Sequence, residues 1–406
     1  MKLTVVGINY SPELTGIGPY TTDMCQYFVE QGYDVTVVSG FPYYPSWKID
    51  RKFRRKFYFK EIINGVAVKR CYLYVRENIS AKQRILHELS FLISSFFKML
   101  FSARPDLFIV ISPPLGLGVS TYLVSLMKMR PFCFHIQDLQ PDAAVSLGML
   151  RDSAFTKFLF LVEKFIYHRA IRVSTITQSM KERIVAKGIP ADKIHVLPNW
   201  SNFDRKSFRV NGSRFRKKHG LENKFVFLYS GNIGQKQGLD DLIEAASRID
   251  HDRIIFLIVG TGAYVSRLKK KAAALSVGNV MFLPLQPKEK LPEMLAAADV
   301  CLVIQKRVVS SIVFPSKMTN IMAAGRPVLV TAARKSELAR TVTRADCGFV
   351  ARPEDPGDLK EKLLEAFADA TLKKKGENAK KYADHFLERE SVLRQFHHHI
   401  STLKSS

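Results

Sequence analysis

"KFVFLYSGNIGQKQGLDDLIEAA" spans residues 224–246 and reads as a strand, a glycine-rich loop and a helix. Its apolar part is an unbroken run rather than an alternating one, which suits a strand buried on both faces of a parallel sheet. Gly231, Gly234 and Gly238 free the backbone of the loop. Lys236 stands in it as a point charge, and Asp240 and Asp241 supply the negative charge that a helix N-terminus favours. The loop follows the logic of an anion-binding turn but lacks the G-K-[ST] order of a Walker A sequence. Lys236 is therefore either a flexible loop lysine or an anion contact.

Working outward, the same rhythm fills the chain. "LTVVGINY", "DVTVVSG", "DLFIVISP", "FCFHIQD", "RVSTIT" and "IHVLPNW" (194–200) precede the quoted stretch, and "IIFLIVGTG", "VMFLPLQP", "VCLVIQ" and "RPVLVTA" follow it, with helical patterns between. A polar passage, "SNFDRKSFRVNGSRFRKKHG" (201–220), separates the two series. The spacing is too irregular for a solenoid. It predicts an α/β protein of two doubly wound domains: 1–200, and 201–385. A last helix, about 386–406, is expected to pack back on the first domain.

The chain has 406 residues, 47% of them apolar, ample for two cores. Its 62 basic and 37 acidic residues leave a net charge of +25, which points to anionic partners. Cys25, Cys71, Cys133, Cys301 and Cys347 are scattered, so reduced thiols in a cytoplasmic protein are expected, with no structural zinc. "MKLTVVGINYSPE" has too short an apolar run for a signal peptide and reads as a first strand.

Ligands of open α/β sheets bind at the carboxyl ends of the strands. After strand one, "NYSPELTGIGPYTTDM" carries Gly16 and Gly18, which admit close backbone approach, with Pro19 and Tyr20 opening a helix. The third glycine of a dinucleotide fingerprint is missing, and strand two ends in Ser39 and Gly40 without an acid, which argues against an NAD site. In "FHIQDLQPDAAV", His135 and Asp138 stand at a strand end, three residues apart; on an extended chain they face opposite sides. His135 is either a satisfied structural histidine or a cleft residue.

"SSIVFPSKMTNIMAAGRPVLVT" (310–331) holds a short helix opened by Pro315 and Ser316, the latter a candidate cap, and closed by Gly325 and Pro327. Lys317 adds positive charge to an end that is already positive. It is either a snorkelling surface lysine or one partner of an anion, most simply a phosphate. Lys306 and Arg307 lie just upstream.

With "GINYSPELTGIG", "HIQD", "SGNIGQKQG" and "PSKMTNIMAAGRPV" in that order, the chain resembles the retaining GT-B glycosyltransferases of family four, and within them the branch of exopolysaccharide and colanic-acid synthesis. The resemblance implies two Rossmann-like domains facing across a cleft. It implies transfer of a sugar from a nucleoside diphosphate, GDP-fucose before UDP-sugars or GDP-mannose, to a polyprenyl-diphosphate-linked saccharide, without a metal or other cofactor. It places Gly16 and Gly18 near the donor phosphates, His135 beside the transferred sugar as a positioning group with Asp138 close by, and Gly231 with Asn232 and Lys236 at the diphosphate. The helix after Pro315, with Ser316 and Lys317, is implied to take phosphate, with Arg307 as a further cation. Two departures stand out. The family's paired glutamates fall at Ile312 and Asn320, and its usual Gly-Arg is Gly231-Asn232. Asn320 still offers a hydrogen bond to a ribose, weaker than a carboxylate's.

"DRKFRRKFYFK" (50–60) interleaves cations with aromatics, and "RILHELSFLISSFFKMLF" (84–101) is an apolar helix too charged to span a bilayer. Together they predict peripheral attachment to the anionic inner face of the plasma membrane, with an ordinary core helix as the alternative. Two other functions fit parts of the pattern. A sugar-nucleotide epimerase shares the fold, and a basic nucleic-acid binder would use the charge and stack bases on the aromatics, although no nucleic acid is expected as partner.

Overall fold

In the computed structural model, which describes every residue except 14, 15, 45, 78–80, 147, 149–152, 202, 204, 311–313, 405 and 406, the apolar runs become two sheets. Each sheet belongs to one of two units, Met1–Pro198 with Leu393–Ser406, and Asn199–Val392.

The first unit holds β1 (Lys2–Val6), β2 (Asp34–Gly40), β3 (Tyr58–Ile63), β4 (Val66–Cys71), β5 (Leu107–Ser112), β6 (Phe132–Ile136), β7 (Arg172–Thr175) and β8 (Ile194–Val196). They lie in the order β3-β4-β2-β1-β5-β6-β7-β8. All neighbours are parallel except the edge strand β3, which runs antiparallel to β4. Val5, Val37, Val110 and Phe134 are wholly buried, as strands covered on both faces require. The covering helices are α1 (Gly18–Glu30), α2 (Ala81–Leu100), α3 (Gly116–Lys128), α4 (Gln140–Ser146), α5 (Ala154–Arg169) and α6 (Gln178–Ala186). Right-handed crossovers put α1 on one face and α2, α3, α5 and α6 on the other, because the strand order reverses at β1.

The second unit holds α7 (Ser213–Lys218), β9 (Phe225–Asn232), α8 (Leu239–Ser247), β10 (Ile254–Thr261), α9 (Val265–Ala274), β11 (Val280–Leu283), α10 (Leu291–Ala296) and β12 (Val300–Val303). It continues with α11 (Arg307–Ser310), α12 (Lys317–Ala323), β13 (Val328–Thr331), α13 (Glu337–Ala345), β14 (Gly348–Ala351), α14 (Pro356–Ala368) and α15 (Leu372–Phe386). Its sheet is wholly parallel, in the order β11-β10-β9-β12-β13-β14. The polar ends of β9 and β12, one to each side of the reversal, are therefore neighbours.

Several expected boundaries move. "IHVLPNW" forms strand only over Ile194–Val196, and the units divide after Pro198, whose missing N–H cannot extend a ladder. The last helix, α16 (Arg389–Ser401), begins three residues late because Glu388 caps it, accepting the Ser391 N–H at 2.7 Å. From Leu393 onward it belongs to the first unit. There Phe396 meets Phe28 edge-on at 6.0 Å and His397 hydrogen-bonds the Tyr33 hydroxyl at 2.9 Å. The basic-aromatic run also differs from expectation. Phe53 is a core residue stacked on Phe41, and Lys52 and Lys56 lie over the rings of Phe53 and Phe59. Those two rings are occupied by their own lysines, while Phe57, 54% exposed, stacks on Tyr72.

One buried cation ties the edge of this sheet to its centre. Arg70, on β4, is fully buried; its Nε donates to Glu61 on β3 at 2.8 Å, and its remaining N–H groups reach the carbonyls of Gly40 and Ser11. Removing the guanidinium strands three acceptors, two carbonyls and the Glu61 carboxylate. Arg70→Ala should lower stability by about 3–5 kcal/mol, seen as an earlier first transition in urea unfolding.

Candidate functional site

In the second unit, the site starts from β9. Its last turn carries Gly231 at φ +138°, a conformation closed to ordinary side chains. Beside it, where a Cβ would stand, lies the Lys317 Nζ at 3.2 Å. Lys317 is the first residue of α12, and its ammonium also sits 3.9 Å over the ring of Tyr229, two residues before Gly231. Burial of Tyr229 holds that ring in place, and its hydroxyl donates to the Asn232 carbonyl at 2.7 Å. Lys317 keeps some exposure along its length, but its ammonium end is crowded by protein, which lowers its pKa to about 7. A cation held against a bare glycine turn, with a ring face as its neighbour, is built to receive negative charge.

The surrounding residues fall into place unevenly. Lys236 is exposed in a short 3-10 turn, and its carbonyl accepts the Lys306 N–H at 3.2 Å, so the loops after β9 and β12 are stitched together. Asn232 is exposed at the strand end. Asn320, one turn into α12, uses its Oδ1 to accept the Ser201 hydroxyl at 2.9 Å. Its NH2 group meets no acceptor among the described residues and remains a donor. A glutamate there would have offered acceptors instead, so the polarity of this contact is reversed.

Three expectations change. Ser316 does not cap α12: its backbone is helical (φ −58°, ψ −25°), so its hydroxyl cannot turn to the next N–H groups. With seven residues, α12 offers a weak dipole, and the positive charge at its start is the Lys317 ammonium itself. Arg307 turns to Glu354 at 3.8 Å and to the Pro353 carbonyl, on the turn before α14, rather than to Gly231. Ile312 lies outside the described residues.

In the first unit, Gly16 has φ +71° in the turn before α1, and Gly18 is the first residue of that helix. The sequence reading passed over the group that shapes this loop. Glu13 is buried, and its carboxylate accepts the N–H groups of Tyr43 and Tyr44, both at 2.9 Å, and the Asn9 amide at 2.8 Å. Burial pushes its pKa up against those bonds. An acid followed by two glycines after an apolar strand was the available signal.

His135, expected beside the transferred sugar, is enclosed. It is buried in β6 with both ring nitrogens engaged: Gln137 Nε2 lies 2.9 Å from Nε2 and Ser174 Oγ 2.9 Å from Nδ1. An amide NH2 donates, so Nε2 accepts and Nδ1–H donates to Ser174. Burial lowers its pKa to about 4, keeping the ring neutral at pH 7. A ligand reaches Nε2 only by displacing Gln137. Asp138 is part-exposed and does not pair with His135; burial, then the charge of Asp142, raises its pKa.

Comparison with known proteins bears on both units. Residues 15–200 match the model of the glycosyl transferase 4-like domain, and residues 212–385 that of the glycosyl transferases group 1. The chain is 38% identical over 406 residues to the glycosyl transferase WcaI of Escherichia coli (strain K12), assigned to colanic acid biosynthesis, covering 98% of each chain. Among solved structures it is similar to sucrose-phosphate synthase from Thermosynechococcus elongatus (TM-score 0.75, 17% identity, 100% and 99% coverage). It is also similar to Anabaena HepE in complex with UDP (TM-score 0.73, 17% identity, 99% and 100% coverage). These likenesses give the two-domain GT-B fold.

The low pKa of Lys317 has a thermodynamic signature. The unfolded chain keeps this lysine protonated to about pH 10, the folded chain only to about pH 7, so its burial costs stability below pH 7 and that cost fades between the two. Lys317→Met should therefore melt higher than the parent at pH 6, with the gap closing towards pH 10. Equal gaps at both pH values, in calorimetric scans, would show that the lysine is not desolvated.

Proposed function

This chain belongs to the group 1 glycosyl transferases, and we propose that it transfers a sugar, with retention, from a nucleoside-diphosphate donor to a lipid-linked saccharide in exopolysaccharide synthesis. One observation carries the donor assignment: the Lys317 ammonium, seated on Tyr229 and against Gly231, faces a strand end where backbone can approach a ligand closely. The donor diphosphate lies there, with Lys236 from the adjoining turn as second cation. The nucleoside ribose takes a hydrogen bond from the Asn320 NH2, and the base is read largely by backbone near 282–287.

Chemistry follows from that charge. As the bond between the anomeric carbon and the diphosphate oxygen breaks, Lys317 and Lys236 stabilise the negative charge that builds on the leaving group, without a metal ion. The acceptor hydroxyl enters on the same face, its oxygen bonds the anomeric carbon, and its proton passes to a leaving phosphate oxygen. No strong protein base is required, which fits a neutral, enclosed His135. Similarity to a protein assigned to colanic acid biosynthesis supports a role in polysaccharide synthesis; within that reading the donor is GDP-fucose and the acceptor polyprenyl-diphosphate-linked, with the protein peripheral on the cytoplasmic face of the plasma membrane.

Titration calorimetry of the chelator-treated protein with GDP, UDP and ADP tests this. One nucleotide, GDP first, should bind at micromolar strength, and Lys317→Ala and Lys236→Ala should each weaken it by about tenfold or more, the loss expected of a charge-assisted contact. Unchanged affinity in both variants would remove the lysines from the donor site.

A further inference from the structure

Lys317 brings a charge to its turn without a counter-charge. It opens α12, whose first turn carries no acid. Among the described residues its Nζ meets no carboxylate and no hydrogen-bond acceptor. Two of its sides are closed: the ring of Tyr229 lies 3.9 Å away, and the place of a Cβ on Gly231 is 3.2 Å off. The Tyr229 hydroxyl is turned to the Asn232 carbonyl at 2.7 Å, and burial keeps it protonated.

The elements packed around this amine do not repair the imbalance. The turn after β9 presents Lys236, which is exposed, and the turn after β12 presents Lys306 and Arg307, so all three are positive. Arg307 points to Glu354, 3.8 Å away. On α8, Asp240 reaches Lys271 at 3.7 Å, and Asp241 lies beside Lys306 at the Gly238 end of the loop. Burial without a partner favours the uncharged amine, and with no neighbouring charge to oppose it the pKa falls to about 7. The π face of Tyr229 returns only part of the lost hydration.

We infer that Lys317 stands largely as a free amine in the empty turn and takes a proton from solvent as a diphosphate enters, its nitrogen lone pair closing on that proton while the phosphate oxygens arrive as acceptors. This coupling rests on the proposed donor site and adds how the charge of that site is controlled. The anion brings its cation into being instead of meeting one already in place. Lysine suits this role and arginine does not, because a guanidinium keeps its proton throughout the accessible range.

Titration calorimetry in HEPES and again in Tris, whose protons are released with different heats, counts the proton. With whichever of GDP, UDP and ADP binds most tightly, the parent should take up about 0.9 proton at pH 8. Its affinity should fall about fifteenfold from pH 7 to pH 8.5, a window in which the nucleotide phosphates are already ionised. Lys317→Arg should bind with flat affinity over that window and take up no proton. Lys317→Ala should bind weakly and take up none. Tight parent binding with flat affinity and no uptake overturns the coupling and leaves the donor site standing. Uptake that persists in Lys317→Ala also overturns it, since another group then carries the proton. Failure of all three nucleotides to bind at pH 6.5, where the lysine is mostly charged, removes the donor site and the coupling with it.

Discussion

A parallel sheet wrapped by helices on both faces spends nearly all its side chains on its own core. What remains free is the turn at the carboxyl end of each strand, where backbone N–H groups and a few polar residues meet solvent. Both units of this chain obey that constraint. In the second unit it has a sharp result. β9 and β12 lie side by side at the strand-order reversal, and their following loops are joined by the Lys306 to Lys236 hydrogen bond. Lys317 reaches the same turn from α12. The ring of Tyr229 serves as its seat, because burial holds the ring still while its π face offsets part of the lost hydration of the ammonium. The turn keeps its glycine, Gly231, and the cation beside it comes from another helix.

The sheets were legible because continuous apolar runs such as "DLFIVISP" admit one economical structure, a strand covered on both sides. Lys317 was legible as an oddity, a cation at a positive helix end, but its seat on Tyr229 depends on a contact far along the chain that no local pattern encodes. Arg307 shows the opposite failure. Its placement beside Lys306 looked like one basic cluster, yet its guanidinium lies 3.8 Å from Glu354, which follows a different strand. Ser316 misled because capping is decided by backbone angles, which residue type only biases. His135 misled because a strand-end position says nothing of which groups fill the hydrogen bonds of its ring; here they are Gln137 and Ser174.

Glu13 and Arg70 were missed for a shared reason. Charged residues are usually exposed, so sequence gives no cue that these two are inside. Each is tolerated because several backbone groups satisfy it: two N–H groups for Glu13, two carbonyls for Arg70. Together they fasten the loops after β1 and β2. Local shape there depends on buried charge more than on the two glycines that draw the eye.

The closing helix has a consequence for the order of events in synthesis. The first unit draws its α16 segment from beyond the whole of Asn199–Val392, and Phe396 and His397 fill gaps beside Phe28 and Tyr33. On a ribosome the second unit therefore emerges in full before the first is complete. Until then Phe28 of α1 and Tyr33 beyond it lack the partners that α16 supplies, which leaves apolar surface exposed during translation.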